Sequence, residues 1–400
     1  MNANLSHRCA ELLFRAMFVT ALLSLAPSAS DAQPSTPPLS TASQVQQMWS
    51  GGRQQGRGPV RLRHFPLRVE DIGNIGPLGM MVWGHVVPSD HLGIAAKDRS
   101  APRGHYPVIA PADGFIVAVQ RATGNNPDPG VKGQFTGEFM VVIEHTGTFY
   151  SWLGLIDDLD TTVVDAIGPI PRGGPPTNVR VAVTAGQTIG RVGGGHGVDF
   201  TVINLESTLK GFVNPRQFEK RDPWKPHVAD PFDYVDEPLR SRLLAFNPRK
   251  AAPPGGKIDH DVDGTAAGSW YREGTGGYAG LNRRLDYWVG HLALAPHHIV
   301  TTRTVASIGD FNGQPRQFWV KENSPDPAKV RVGDAPVKYE LTFGAINNAG
   351  QPYPGIDTNR VHGVLLVQLV APRRLKVEVL AGRTAGDVRG FTEAATFYER

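Results

Sequence analysis

The sequence predicts an all-β protein in two parts, an antiparallel β domain followed by a β-barrel. Short apolar runs recur between clusters of Gly and Pro, and this spacing is typical of antiparallel sheets. Residues 375–379 alternate apolar and charged side chains, as a half-buried strand does. Helical patterns are weak, and the best candidate helix, 236–246, has an acidic start followed by basic and apolar residues.

The N-terminus has the pattern of a secretory signal. Arg8 and Arg15 precede an uncharged apolar run at 16–26, and small residues at 30–32 resemble a cleavage site. The run is shorter than the roughly 20 residues that a membrane-spanning helix needs. We therefore expect residues 1–32 to be a cleaved signal peptide and the protein to be periplasmic or secreted, without a transmembrane segment after cleavage. An uncleaved membrane anchor is the alternative.

Cysteine content and charge exclude several kinds of site. The only cysteine, Cys9, precedes the apolar run, so the mature chain has neither a disulfide nor a thiolate metal site. The net charge of +4 is modest for 400 residues, and the basic residues are scattered. We therefore expect no nucleic-acid partner.

Two segments of biased composition divide the chain. Residues 33–60 are rich in Pro, Ser, Gln and Gly, a composition that buries too little apolar surface to become ordered, and they predict a disordered linker. A second Pro- and Gly-rich break at 247–264 predicts another linker. The first domain is then 61–246, and the barrel is 265–400.

The first domain carries a series of strand-like runs and short motifs in a fixed order. The strand-like runs are 107–110, 114–120, 139–145, 149–155, 179–183 and 199–204. The motifs are H-L-G-I-A at 91–95, V-I-A-P-A-D-G at 108–114, V-I-E-H at 142–145, Y-S-W-L at 150–153, A-G-Q-T-I-G at 185–190, V-D-F at 198–200 and G-F-V-N-P at 211–215. This ordered set resembles the lysostaphin or LytM-type zinc endopeptidase domain, a duplicated hybrid motif. The G-H-x-x-P-[ST]-D-H string at 84–91 is similar to that of a divergent branch of these domains.

The resemblance implies a degenerate catalytic site. A hydrolytic zinc needs three protein ligands and an open position for water. His91 stands where the family has its first ligand, but Ala95 stands at the ligand aspartate. Trp152 replaces the histidine that stabilises the oxyanion, and Gly197 replaces the histidine base. Asp199 occupies the place of the last ligand histidine and is a candidate substitute.

Other residues could rebuild a zinc site, and each has a structural alternative. His85 and Asp90, next to His91, are weaker ligand candidates, but the two histidines could instead hydrogen-bond a turn around Pro88. His196 lies in a glycine loop and could simply be solvated, and Asp199 could face water. Zinc is the only cofactor for which the sequence offers candidate ligands.

Trp152 has two interpretations as well. It could belong to the core, or it could line the groove where the family has a histidine. An aromatic groove wall suits carbohydrate or peptide binding.

The second domain has the outline of a closed barrel. The apolar run at 364–370 and the strand at 375–379 are joined by a short turn, which predicts a hairpin. The G-x-W triplet ending at Trp270, together with Arg400, resembles lipocalin-like barrels, in which such an arginine packs on the tryptophan and closes the barrel. The interior could bind a small hydrophobic ligand or be filled by its own side chains.

Three functions follow from these features. The first is an exported, noncatalytic binding or regulatory protein of the cell envelope, a pseudoenzyme without a cofactor, with peptidoglycan, another glycan or an envelope protein as its partner. The second is a zinc-dependent cell-wall metalloendopeptidase with substituted ligands. The third is a carrier of a small hydrophobic ligand in the barrel.

Overall fold

The computed structural model describes residues 40–53, 55–122, 137–193, 195, 197–281, 287–344, 346 and 351–400. The predicted signal peptide and His196 lie outside the described residues. The all-β prediction is confirmed, because antiparallel strands form the sheets of both parts of the chain. No helix in the described ranges is long and apolar enough to cross a membrane.

The first part contains two antiparallel sheets. Their strands are β1 (Ile72–Gly76), β2 (Leu92–Ala96), β3 (Tyr106–Ile109), β4 (Gly114–Arg121), β5 (Phe139–Thr146), β6 (Phe149–Ile156), β7 (Asp158–Leu159), β8 (Thr177–Val183), β9 (Thr188–Val192), β10 (Gly197–Asn204) and β11 (Val228–Ala229). The main sheet has the order β1-β2-β10-β6-β5-β4-β8, with β11 paired to β10, and the smaller sheet has the order β3-β9-β7. An apolar core that includes Val141, Leu153 and Phe200 covers one face of the main sheet, and a smaller apolar cluster covers only part of the other face.

Helices are short. The α-helices are α1 (Thr41–Ser50), α2 (Thr161–Ile167) and α3 (Leu239–Leu244). Single turns of 3-10 helix lie at Val69–Asp71, Pro215–Phe218, Lys225–His227, Pro231–Tyr234, Gly277–Ala279, Tyr287–Gly290, Lys321–Asn323 and Pro327–Lys329. The helix expected at 236–246 is present as the shorter α3.

Helix α1 differs from the linker expected at 33–60. Ser40 caps its N-terminus by accepting a hydrogen bond from the Ser43 backbone N–H. Val45 and Trp49, four residues apart, lie on one helix face and are buried against the main sheet. Two apolar anchors therefore order a segment whose average composition is polar.

The barrel is closed by eight consecutive strands. They are β12 (Gly268–Arg272), β13 (His291–Pro296), β14 (Thr304–Phe311), β15 (Gln314–Val320), β16 (Val337–Thr342), β17 (Val361–Ala371), β18 (Arg374–Ala381) and β19 (Thr396–Glu399). Each strand pairs with the next, and β19 pairs back with β12, so no edge is left. The predicted hairpin is β17–β18, with Ala371 opposite Arg374 at its turn.

The barrel interior is filled by its own side chains. Trp270, Phe318, Tyr339 and Tyr398 belong to one buried apolar cluster that also includes aliphatic residues of β13 to β18, so all eight strands contribute to it. The guanidinium of Arg400 lies 4.0 Å from the centre of the Trp270 ring. It donates hydrogen bonds to the carbonyl groups of residues 262, 265 and 267 and so closes one end of the barrel.

The connection at 247–264, expected to be a linker, is irregular but packed. Arg249 donates hydrogen bonds to the carbonyl of Pro253 within the connection and to that of His298 in the barrel part. Asp261 accepts hydrogen bonds from the backbone N–H of Val213 and that of Ser269, one on each side of the connection. Leu39–Arg400 accordingly form one compact unit.

Candidate functional site

A cavity of about 490 Å³ lies against the face of the main sheet opposite its apolar core. The floor consists of one side chain from each of five neighbouring strands or strand ends: His91, Thr201, Trp152, Met140 and Gln120. The walls come from helix α1, the 84–91 segment, the 221–225 segment and the barrel part: Met48, Trp49, Gly84, His85, Asp90, Arg221, Asp222, Trp224, Lys225, Tyr278, Tyr287 and His291. The main sheet and the barrel part therefore share this site.

Strand register explains why these side chains meet. Thr201 pairs with Trp152, and Gln120 pairs with Met140, so each pair points to the same face of the sheet. His91 immediately precedes Leu92, which pairs with Phe200, and this pairing places His91 beside Thr201. The alternation that buries Leu92 and Phe200 in the core turns His91, Thr201 and Trp152 toward the cavity.

His91 is buried between two carboxylates. Its Nδ1 atom lies 3.3 Å from Oδ1 of Asp90, and its Nε2 atom lies 3.7 Å from Oδ2 of Asp199. Burial lowers the pKa of His91, but the charges of Asp199 and Asp90 outweigh that effect and raise its pKa above the ordinary value. The geometry therefore favours an imidazolium cation at the edge of the cavity.

Asp90 is fixed as an anion by several groups. The Trp224 indole N–H donates to its Oδ2 at 2.9 Å, and the Thr201 hydroxyl donates to its backbone carbonyl at 2.9 Å. Burial raises the pKa of Asp90, but the positive charge of Lys225 and the hydrogen bond with His91 lower it well below its usual range. Asp90 thus positions His91 and Trp224.

His85 lines the cavity as a neutral group. Its ring centre lies 5.0 Å from that of His91. Burial, followed by the charge of His91, lowers the pKa of His85 to about 3. At neutral pH His85 is therefore the uncharged ring, and His91, beside the carboxylates, carries the positive charge.

The positions that the LytM resemblance assigns to a catalytic base and a ligand aspartate lie side by side. Gly197 pairs with Ala95 across β10 and β2. A Cβ atom built on Gly197 would lie 1.8 Å from the carbonyl oxygen of Ile94, so the backbone leaves no room for any side chain there. Ala95 offers only a methyl group. Neither position supplies a proton acceptor or a metal ligand.

Trp152 forms an aromatic floor beside His91. Its ring lies across Gly154, where an added Cβ would be 2.6 Å from Cη2 of the indole. The ring centres of His91 and Trp152 are 6.2 Å apart and the planes are nearly parallel, at 25°. Trp152 is half-buried and lines the cavity, so the groove-wall interpretation describes it better than the core interpretation.

Sequence reasoning missed the wall on the barrel side. Tyr278 donates a hydrogen bond to the Asp222 carboxylate, and Lys225 donates to the Tyr278 hydroxyl at 3.4 Å. The Arg221 guanidinium lies 3.6 Å from the Tyr287 ring centre, at the exposed rim of the cavity. No motif joins these residues, and only the packing of the barrel on the 221–225 segment brings them together.

The donor set of the described residues is incomplete for a hydrolytic zinc. His91 Nε2 and Asp199 Oδ2 face each other, and Asp90 occupies the outer position where zinc-binding histidines commonly have a carboxylate. Within the described ranges, however, no group of three or more His, Cys, Asp or Glu is placed to hold a metal ion. Three protein ligands are the usual minimum for a catalytic zinc.

The remaining predicted residues lie elsewhere. Trp270 and Arg400 contact each other within the barrel and do not line the cavity. Their contact has a structural role, because it satisfies buried carbonyl groups and fills the barrel end.

Comparisons with known proteins do not assign the chain to a family. The chain matches no known protein family. A search of curated proteins also finds no significant match.

Proposed function

We propose that this protein is an exported, noncatalytic binding protein of a bacterial cell envelope. It recognises a fragment of peptidoglycan in the cavity between the main sheet and the barrel. The proposal treats residues 61–246 as a degenerate LytM-type domain and 265–400 as a lipocalin-like barrel. Regulation of cell-wall hydrolases is a role that this resemblance permits. The periplasm or the extracellular space is the compartment that the N-terminal pattern implies.

The observation that carries the proposal is the contact between Gly197 and Ile94. A base at position 197 would require the paired strands β2 and β10 to separate, because a Cβ there meets the Ile94 carbonyl at 1.8 Å. General base catalysis and oxyanion stabilisation each contribute on the order of 10²-fold or more to such reactions. The missing base at position 197 thus supports a cavity that binds a ligand without hydrolysing it.

The lining suits a ligand that is both polar and apolar. Trp49, Trp152 and Trp224 supply aromatic surface for sugar rings or aliphatic side chains, and Asp90, Asp222 and Lys225 supply charged hydrogen-bonding groups. A cavity of about 490 Å³ is in the usual range for small-ligand sites.

Isothermal titration calorimetry with soluble peptidoglycan fragments tests the proposal. The disaccharide, with and without its peptide, is titrated into the purified protein, and Trp152→Ala is expected to weaken binding by about tenfold or more through lost stacking. Trp83→Ala is the matched control, since Trp83 is exposed and is not among the cavity-lining residues. Fragments that bind wild type and Trp152→Ala equally, or that do not bind at all, would contradict the proposal.

A zinc-dependent endopeptidase is the second candidate, and the Asp90–His91–Asp199 arrangement favours it. His91 Nε2 and Asp199 Oδ2 at 3.7 Å would supply two ligands, and a third would have to come from outside the described residues. Elemental analysis after mild chelation and zinc readdition tests this function. One zinc ion per chain, with cleavage of cell-wall peptides that His91→Ala abolishes, would replace the binding proposal.

The third function, transport of a hydrophobic ligand in the barrel, stays a prediction. The interior aromatic cluster around Trp270 and Tyr339 favours a solid barrel. Native mass spectrometry of the full chain, with a copurified ligand of defined mass, would support the carrier function.

A further inference from the structure

Lys225 is a buried cation that forms no ion pair with a described carboxylate. The residue is 4% exposed and lines the barrel-side wall of the cavity. An ammonium group has three donor positions. Among the described residues, the Lys225 ammonium makes one long hydrogen bond, 3.4 Å to the Tyr278 hydroxyl, and it lies 5.0 Å from the centre of the Tyr278 ring.

Other buried charges in the same part of the chain have close partners. Glu144 accepts a hydrogen bond from Ser50 at 2.8 Å and pairs with Arg180 at 3.2 Å. For Lys225, no carboxylate oxygen of the described residues lies within ion-pair distance of Nζ. A buried charge without such a partner is costly, and a ligand that supplies one recovers part of that cost.

The carboxylates around Lys225 are committed to other groups. Asp90 accepts from Trp224 and lies 3.3 Å from the His91 ring, and Asp222 accepts from Tyr278. Both act on Lys225 only at longer range. Among the described residues the ammonium thus has one hydrogen-bond acceptor, and a ligand in the cavity that Lys225 lines would supply another.

The two carboxylates in the cavity lining favour a ligand group with a single negative charge. Arg221, at the exposed rim, adds a second cation to the same wall of the cavity. Asp90 and Asp222 line the same cavity and repel anions. A group with one negative charge shared by two oxygen atoms can pair with Lys225. Asp90 and Asp222 repel it less than they repel a doubly charged phosphate.

We propose that the barrel-side end of the cavity is a carboxylate subsite, in which Lys225 donates hydrogen bonds to a carboxylate of the ligand and Arg221 provides a second positive charge. This inference rests on the proposed function and names the chemistry of its ligand. In a peptidoglycan fragment the carboxylate has two sources, the end of the peptide or the lactyl group of the sugar.

Paired ligands separate the two sources. The first pair is a disaccharide–peptide with a free terminal carboxylate and the same molecule with a terminal amide. The second pair is the peptide-free disaccharide with its lactyl group as the free acid or as the amide. Calorimetry is expected to show that the acid of at least one pair binds about tenfold or more tightly than its amide, as is typical of a charge-assisted hydrogen bond.

Lys225→Met tests whether Lys225 binds the negative charge of the ligand carboxylate. This variant keeps the length of the side chain and is expected to reduce the acid-to-amide affinity ratio to about one while the amide still binds. Lys220→Met is the matched control, because Lys220 is exposed and outside the cavity lining, and its ratio is expected to equal that of wild type. The ratio is read only on folded protein, so a change in stability does not mimic the effect.

The outcomes distinguish the two proposals. Fragments that bind with equal affinity as acid and amide overturn the carboxylate subsite and leave the proposed function standing. An acid preference that persists in Lys225→Met also overturns the assignment. Fragments that do not bind in any form overturn the proposed function, and the subsite with it.

Discussion

The Nε2 atom of His91, on the cavity floor, lies 3.7 Å from Oδ2 of Asp199, and Asp90 borders the imidazole on its other side. This arrangement gives one buried histidine a pKa above its ordinary value, whereas the neighbouring His85 has a pKa of about 3. The two rings are only 5.0 Å apart. The carboxylates beside His91 therefore determine that His91, and not His85, is charged.

The first prediction concerns the charge of His91. We expect His91 to remain protonated above pH 6.5, and Asp199→Asn to lower its pKa because a negative charge is removed. Nitrogen-detected NMR of the His91 ring over a pH series measures its pKa in wild type and in Asp199→Asn. His145, whose pKa burial lowers to about 4, is the internal control that stays neutral. A neutral His91 at pH 6 in wild type would be inconsistent with this account.

The second prediction concerns stability in acid. His145 is buried, and its ring contacts the Asp113 carbonyl at 2.8 Å and the Ser151 hydroxyl at 2.9 Å. Because its pKa is about 4 in the folded state, the folded protein binds fewer protons than the unfolded chain below pH 6.5. The contribution of His145 to the unfolding free energy is complete above pH 6.5 and is lost as the pH falls through 4.

Denaturant titrations at several pH values measure this loss. At about 1.4 kcal/mol per pKa unit, His145 alone accounts for about 3 kcal/mol of unfolding free energy between pH 6.5 and 4. His145→Gln is expected to be less stable at pH 7 and to depend less steeply on pH in this window. An unchanged slope in the variant would argue against this role of His145.

The third prediction concerns the close approach of β2 and β10. Gly197→Ala is expected to cost about 3 kcal/mol, the upper end of the overpacking range, because the new Cβ meets the Ile94 carbonyl. Gly390→Ala is the control, since a Cβ there meets no atom within 4 Å. Chemical denaturation compares the two. Equal stability of both variants would remove the structural argument against a base at position 197.

The fourth prediction concerns helix α1. Trp49 is 2% exposed and its ring centre lies 5.2 Å from that of Trp224. Trp49→Ala is expected to cost about 3–5 kcal/mol of local stability and to increase hydrogen exchange throughout α1. Gln47→Ala, on the exposed face of the same helix, is expected to change little. Hydrogen exchange is measured by mass spectrometry. Exchange in α1 that is the same in Trp49→Ala as in wild type would contradict this prediction.

The fifth prediction concerns the end of the barrel. Arg400 donates to three carbonyl groups and covers Trp270. Arg400→Ala is expected to cost about 3 kcal/mol, because these carbonyls lose a charged donor. Arg383→Ala, at an exposed position, is the control. Thermal unfolding followed by near-ultraviolet circular dichroism reports on the packing of Trp270.

The strands could be predicted from sequence because Gly and Pro mark their ends. The runs expected at 139–145 and 149–155 are β5 and β6 within one residue. Helix α1 was not predicted, since averaged composition hides the two apolar residues, Val45 and Trp49, that anchor it.

The candidate site was predicted only in part. His85, Asp90 and His91 are close in sequence, and Trp152 belongs to a motif, so these four could be named in advance. Lys225 and Tyr278 are 53 positions apart and meet only when the barrel packs on the sheet. Local patterns carry no information about such a contact.

The shared walls of the cavity have a mechanical consequence. A ligand that touches Trp152 on the sheet and Tyr278 on the barrel side acts as a noncovalent cross-link between segments distant in the chain. Its binding free energy is added to the cohesion of the whole unit rather than to either half. If the two halves were separated, the cavity lining would be divided between two surfaces, and each half alone would offer a ligand only part of its contacts.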